Sequence, residues 1–254
     1  MLEQERDGGV LTLAFADPER RNALGYAEVG DLLAALADAD GDETVRCVVL
    51  TGRGPAFSAG GDLRGFSAEL KASAHDFWDS GAVWADLFTL VPRLRYPVVA
   101  AVNGPALAGG CGIVALADLA IASSEASFGL TEIRIGLFPI VVLPAVERVV
   151  GARAVRELAL TGRRIDAVEA ARIGLVNRVV APEDLQATAM ATARELAALP
   201  PTAMGLGKRL LADLAGLDYD AAVNHARAMR GVFLHTADLA EGISAFLDKR
   251  RPRW

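Results

Sequence analysis

Two glycine pairs and one glutamate are the residues of this chain whose types and spacing suit chemistry. Gly60-Gly61 and Gly109-Gly110 each follow an apolar run and precede a stretch that reads as a helix start, and Glu132 stands between Gly129 and Gly136 in apolar surroundings. N–H groups in the first turn of a helix have no intrahelical acceptor and point into the space in front of it. Glycine at such a turn lets a ligand oxygen approach the amides, which a side chain would obstruct. Two such loops, about fifty residues apart in the chain, can each offer an N–H to one shared oxygen. The set predicts a developing oxyanion held by main-chain donors while Glu132 moves a proton. Glycine pairs also serve close packing, and a lone Glu near a turn also serves as a cap or a surface group. The duplication of the loop favours chemistry over both.

Other chemistries lack their residues. Gly52, Gly54 and Gly60 follow a strand, but Phe57 stands where a dinucleotide-binding fingerprint needs its third glycine. Gly207-Lys208 is followed by Arg209, with Thr202 five positions before Gly207, so no phosphate loop forms. His75, His225 and His235 have no carboxylate or cysteine at ligand spacing, and no metal site is expected. Ser58 lacks the preceding glycine of a nucleophile elbow. Cys111 at a helix start invites a lowered thiol pKa, but a buried, inert thiol is the favoured reading.

The elements that must position these groups can be read from pattern. The run 98–102 is β-branched and apolar, a fully buried strand, broken at Asn103-Gly104-Pro105; residues 111–117 read as a buried helix. Residues 2–5 and 10–15 form a hairpin, and 46–51 is a second buried strand leading into the first glycine loop, with Asp62 as a helix cap. A helix begins at Asn22 or a neighbour, with Val29, Leu32, Leu33 and Leu36 on one face. Residues 64–94 have helical periodicity through Trp78, Trp84, Leu87, Phe88 and Val91, and the start near Gly65 and Ser67 is placed over a binding cleft. Residues 140–151 read as an apolar wedge before a helix over 152–161; Asp166 and Glu169 form a capping box for a helix ending at Gly174, and 176–180 is a short strand. Segments 183–199, 202–214, 219–234 and 236–247 read as helices, the last with Leu239, Ile243, Phe246 and Leu247 on one side.

Length and composition bound the rest. A chain of 254 residues, 52% hydrophobic and 23% charged, can bury a large core as one domain or a domain with an appendage. A net charge of −6 leaves no basic face to neutralise a run of phosphates, so no nucleic-acid partner is expected; the one dense basic run is 249–253. Two cysteines, Cys47 and Cys111, are too few for a disulfide framework and suit a reduced, cytoplasmic setting. The acidic first ten residues are no signal peptide, and the uncharged span 96–117 divides into strand, loop and helix, so no membrane partner is expected.

AFSAGGDL at 56–63 and AAVNGPALAGGCGIVALADLAIASSEASFGLTEIRIGLFP at 100–139 closely resemble the crotonase, or enoyl-CoA hydratase/isomerase, superfamily, as do PERRNAL at 18–24, LTGRRIDAVEAARIGLVNRVV at 160–180 and EGISAFLDKRRPRW at 241–254. The resemblance implies an α/β fold: a crotonase-like spiral of ββα units in two near-perpendicular sheets, then a helical C-terminal trimerisation region. Residues 1–199 would form the core with the acyl-CoA site and residues 200–254 the assembly region. It further implies an acyl-CoA thioester substrate, no cofactor beyond the coenzyme A of that substrate, and a homo-oligomer, either a trimer or a dimer of trimers. The oxyanion donors would be the N–H groups of Gly61 and Gly109. Coenzyme A would lie along Ala59, Gly61, Asp62, Leu63, Arg64 and Gly109, with Phe246 and Lys249 reaching a neighbouring subunit's nucleotide.

One departure is informative. Hydratases of this family usually carry two glutamates, and at the first position this chain has Gly112. Adding water across a double bond suits two carboxylates, whereas moving one proton between carbons needs one. With Glu132 alone the chain resembles the family's Δ3,Δ2-enoyl-CoA isomerases. Feruloyl-CoA hydratase-lyases look similar to this chain in FGLTEIRIG and also lack the first Glu, which keeps hydration open, with Glu69, Asp76 and Asp79 as candidates for a second acid. A non-catalytic acyl-CoA-binding paralogue is the alternative from another class.

Overall fold

The computed structural model describes residues 2–65 and 73–254, without the side chains of residue 74 and residues 76–80. In chain order the strands are β1 (Leu2–Asp7), β2 (Val10–Phe15), β3 (Cys47–Gly52), β4 (Val98–Val102), β5 (Ala106–Leu107), β6 (Leu119–Ser123), β7 (Ser127–Gly129), β8 (Ile165–Asp166) and β9 (Arg178–Val180). The helices are α1 (Tyr26–Gly41), α2 (Ala74–Leu90), α3 (Gly109–Leu116), α4 (Leu143–Thr161), α5 (Ala167–Arg172), α6 (Leu185–Ala197), α7 (Pro201–Leu214), α8 (Tyr219–Phe233) and α9 (Ala237–Leu247).

Six strands pair in the order β1-β2-β3-β4-β6-β9, parallel except for the β1–β2 hairpin. Central strands of a parallel sheet are covered on both faces, which is why β2 and β4 are buried throughout. The pleat sends Val48, Leu50, Val98, Ala100 and Val102 into the main core with Val29, Leu32 and Leu36 of α1. Val49, Val99, Ala101 and Ile121 face the other way, against Leu185, Ala189 and Ala193 of α6, a stripe at spacings of four. The edge strand β1 reads LEQERD and is mostly exposed, as a charged edge that resists further pairing.

A second sheet joins β5, β7 and β8, with β5–β7 parallel and β7–β8 antiparallel. The C-terminal region is helical, and α7 is fastened to the core by a buried lysine: Lys208 Nζ lies 2.6 Å from Asp118 Oδ2 and donates to Tyr96 O at 3.0 Å. The face expected of α9 is not covered within one chain. Ile243, Phe246 and Leu247 are exposed, and Ala245 is the residue of that helix that is buried.

Three local expectations are corrected. The helix placed at Asn22 begins at Tyr26, because Asn22 adopts a left-handed φ of 55° and spends its side chain on other loops. The wedge before residue 152 is helical from Leu143, with Pro144 in the first turn; Gly151, at φ 78° and ψ 163°, interrupts α4 and hides its continuity. The capping box at α5 is half formed: Asp166 Oδ1 accepts from Glu169 N at 2.7 Å, but the Glu169 carboxylate turns to Arg163.

Candidate active site

The first glycine loop is held from below by two buried polar side chains. Asn22 Nδ2 donates to Arg53 O at 3.0 Å and Ala56 O at 2.8 Å, and its Oδ1 accepts from Asp17 N at 2.8 Å. Ser58 Oγ donates to Asn22 O at 2.8 Å and accepts from Gly60 N at 3.1 Å. Ala59 N donates to Arg21 O, and Asp62 N donates to Leu24 O. Every amide from Phe57 to Asp62 is thus committed except that of Gly61, which has no acceptor among the described residues.

The second loop rests on the first. Phe57 N and Ser58 N both donate to Pro105 O at 3.1 Å, and Leu107 N donates to Ser58 O at 2.9 Å. Ala108 N donates to Gly129 O at 2.8 Å, and Gly109 opens α3 with an N–H that again has no acceptor among the described residues. Contact between the loops leaves no room for side chains. A Cβ on Gly60, itself at φ 93°, would lie 2.7 Å from both Ala108 Cβ and Leu107 O and 3.4 Å from Gly109 N; one on Gly110 would lie 2.8 Å from Ser58 Cβ. Ala108 takes φ 51° and ψ −122°, a backbone region disfavoured for a residue with a Cβ. Such strain persists where surrounding contacts over-determine it, and here it sets the direction of the next amide, Gly109 N–H.

Glu132 follows β7 after Leu130 and Thr131, and opens a short 3₁₀ turn over Glu132–Ile135. Its Oε2 is buried and has no hydrogen-bond partner among the described residues. Burial raises its carboxyl pKa, opposed by a hydrogen bond from its own backbone N–H. The Cys111 thiol on the first turn of α3 is pushed up to about 12 by burial, and the Glu132 charge adds to that shift. Both cysteines are free and buried, in keeping with the inert reading.

The Gly112 position has no space for a side chain: a Cβ there would lie 2.5 Å from Val142 Cγ1 and 2.8 Å from Phe88 Cζ. Asp62 accepts from Arg64 N at 3.0 Å, as its capping role requires, and pairs with Arg20 at 3.1 Å; Leu63 and Arg64 are exposed beside it. Ala59 lies on the same loop. Phe246 and Lys249 sit at the exposed end of α9, and no hydrogen bond or ion pair joins them to either glycine loop among the described residues. Ser67 and Glu69 lie outside the described residues, as do the side chains of Asp76 and Asp79. Asn22, Ser58 and Ala108 were not singled out from sequence as site residues. An Asn flanked by a turn-forming DPER run was the available signal for the first; nothing local marks the other two.

The fold and the paired loops have counterparts among known proteins. Residues 5–254 match the family model described as "Enoyl-CoA hydratase/isomerase". A relative from Thermus thermophilus is 41% identical over 253 residues, with both chains covered in full. The "Short-chain-enoyl-CoA hydratase" of Clostridium acetobutylicum is 33% identical over 249 residues, 97% of this chain and 94% of its own. An enoyl-CoA hydratase structure from Mycobacterium smegmatis superposes with a TM-score of 0.92 at 38% identity, covering 100% of this chain and 98% of that one. The human enoyl Coenzyme A hydratase domain-containing protein 3 gives a TM-score of 0.92 at 30% identity, covering 100% and 99%. The chain belongs to the enoyl-CoA hydratase/isomerase family and has the crotonase fold, with a helical C-terminal region.

Proposed function

We propose that the protein binds an acyl-CoA thioester with its carbonyl oxygen between the N–H groups of Gly61 and Gly109, and that Glu132 carries one proton between C2 and C4. Starting from a 3-enoyl thioester, the C2–H bond breaks and the proton passes to the Glu132 carboxylate. The electron pair enters a dienolate whose charge rests on the thioester oxygen. As the double bond moves to C2–C3, the same carboxyl returns the proton to C4. Amides oriented by the fold need no reorganisation as that charge develops. The observation that carries this reading is the buried, unpartnered Oε2 of Glu132, whose raised pKa suits a group that must take up and release a proton. The packed surroundings of Gly112 support chemistry with one carboxylate.

Hydration is the second reading, favoured by the hydratase names of the relatives. It needs another group to hold the water, and Glu69, Asp76 and Asp79 are its candidates. Offering a 3-enoyl-CoA and a 2-enoyl-CoA in turn separates the two, since isomerisation yields the conjugated thioester and hydration consumes it. Replacing Glu132 by Gln is expected to lower turnover about 10²–10⁴-fold with acyl-CoA affinity retained. Turnover unmoved by that change would leave the protein a binding paralogue.

Coenzyme A is placed along Ala59, Asp62, Leu63 and Arg64, entering as part of the substrate, with Phe246 and Lys249 supplied by a neighbouring subunit. The exposed apolar face of α9 supports a trimer or a dimer of trimers built through residues 200–254, with residues 1–199 as the catalytic core. Sedimentation showing a monomer at micromolar concentration would remove that assembly. Two free, buried cysteines and the lack, among the described residues, of any helix long and apolar enough to cross a membrane agree with a cytoplasmic setting.

A further inference from the structure

Resting on the acyl-CoA reading of the site, we propose that Trp84 and Phe88 form an aromatic partition that restricts the acyl group to short chains. The argument starts from α3, whose residues Gly109, Gly112 and Leu116 lie along one face at spacings of three and four. Trp84 covers Gly109, where a Cβ would lie 2.6 Å from its Cη2, and Phe88, one turn along α2, covers Gly112. The two rings stand 6.4 Å apart at 39°, within the range of a packed aromatic pair, and make one continuous wall. Glycine at 109 and 112 is what lets the rings come down onto the helix.

Beyond Phe88 the same face of α3 opens into a groove of about 580 Å³, bordered by Phe88, Leu116, Leu211 and Ala212, with Asp118, Arg148 and Lys208 also lining it. That is the size of clefts that hold small ligands, and its lining is mostly apolar. α3 therefore carries a free amide at one end and a mostly apolar groove along the other half. At 1.5 Å per residue, only about 4.5 Å of helix separates Gly109 from Gly112, and the two rings stand across that interval. An acyl chain leaving the carbonyl along α3 meets Trp84 first and Phe88 next, and stops short of the groove.

The test is binding of saturated butyryl-CoA and decanoyl-CoA to the full chain by titration calorimetry, which needs no turnover. The wild-type protein is expected to favour butyryl-CoA. Phe88→Ala should open the groove and raise the decanoyl-to-butyryl affinity ratio at least about tenfold, roughly the worth of two buried methylenes. Phe88→Leu, which keeps an apolar filling, should give a smaller rise in the same direction, and adding Ala212→Phe to Phe88→Ala should take the gain back. A wild-type preference for decanoyl-CoA overturns the partition, as does a ratio unmoved by both Phe88 variants while butyryl-CoA still binds; the acyl-CoA reading survives either result. Failure of folded wild-type protein to bind either thioester overturns both.

Discussion

Installing the second family glutamate by Gly112→Glu is predicted to fail for reasons of packing. A Cβ at Gly112 would stand 2.5 Å from Val142 Cγ1, 2.7 Å from Val142 Cβ and 2.8 Å from Phe88 Cζ, where carbon atoms pack best at about 3.5–4.0 Å. Val142 is itself buried, 5% exposed. Overpacking costs about 1–3 kcal/mol and burying a polar group without partners about 1–3 more, while losing a mid-helix glycine returns about 1. The net is a loss of about 3 kcal/mol, which in a chain of this size lowers Tm by about 6–12 °C. The assay is thermal unfolding of Gly112→Glu, of Val142→Ala, and of both together, with hydration of a 2-enoyl-CoA measured on each. Because the two positions touch, the double variant should be more stable than the sum of the singles by at least about 0.5 kcal/mol. A Gly112→Glu protein with Tm within about 2 °C of the parent and new hydratase activity would refute the reasoning, since the position would then have room for a carboxylate.

Three further outcomes follow from the same contacts. Asn22→Ala removes three hydrogen bonds of a buried side chain and leaves Ala at a left-handed φ; denaturant unfolding should show a loss of about 2–4 kcal/mol, and a loss under about 1 would mean the loop is held elsewhere. The Glu132 carboxyl is raised above 4.5 in the folded chain, so the native state binds its proton more tightly than the unfolded state does. Stability should therefore fall as pH rises through the window from 4.5 to the raised value, and Glu132→Gln should flatten that part of a Tm-against-pH curve; parallel curves for the two proteins would contradict the burial of the charge. Lys208→Met strips the buried cation from Asp118, a carboxylate about a third exposed, and should cost about 2–3 kcal/mol, less than for a fully buried partner. Pairing it with Asp118→Asn, which can still accept from Val98 N, should recover most of the loss, and no recovery would point to lost lysine packing instead.

What could be read from the sequence divides along a physical line. Elements dictated by local composition were legible: Val98–Val102 is apolar on both faces, and the four last helices have unbroken periodicity, so each runs where its pattern places it to within a few residues. Strands β5, β7 and β8 are two or three residues long, too short for any period, and exist because the glycine loops and Gly129 are pressed together. Asn22 shows the same limit at a single residue. Its helix-start reading is locally sound, yet its amide bonds to carbonyls more than thirty residues away. The glycine pairs and Glu132 were visible by type and spacing. The strain at Ala108, the clamp at Ser58 and the filled space beside Gly112 depend on contacts between distant segments, which no window of sequence contains.

In the proposed reaction, main-chain donors place an unusual demand on the fold, because their direction cannot be adjusted by a rotamer. The Gly61 N–H points where it does because its neighbours are occupied: Gly60 N by Ser58 Oγ, and Asp62 N by Leu24 O. Gly109 N–H is aimed by Ala108, whose amide is held by Gly129 O in the strand that leads into Glu132. One hydrogen bond thus ties the second donor to the segment bearing the carboxylate, and Leu107 N to Ser58 O ties both to the first donor. All three groups share a frame built on the buried Asn22, Ser58, Gly60 and Gly109, so their relative placement is fixed when the chain folds, with little left to be ordered on binding. Changes in that frame, at Asn22, Ser58 or Ala108, should accordingly act on turnover more than on affinity, because a tilted amide still contacts a neutral carbonyl but serves the developing oxyanion poorly.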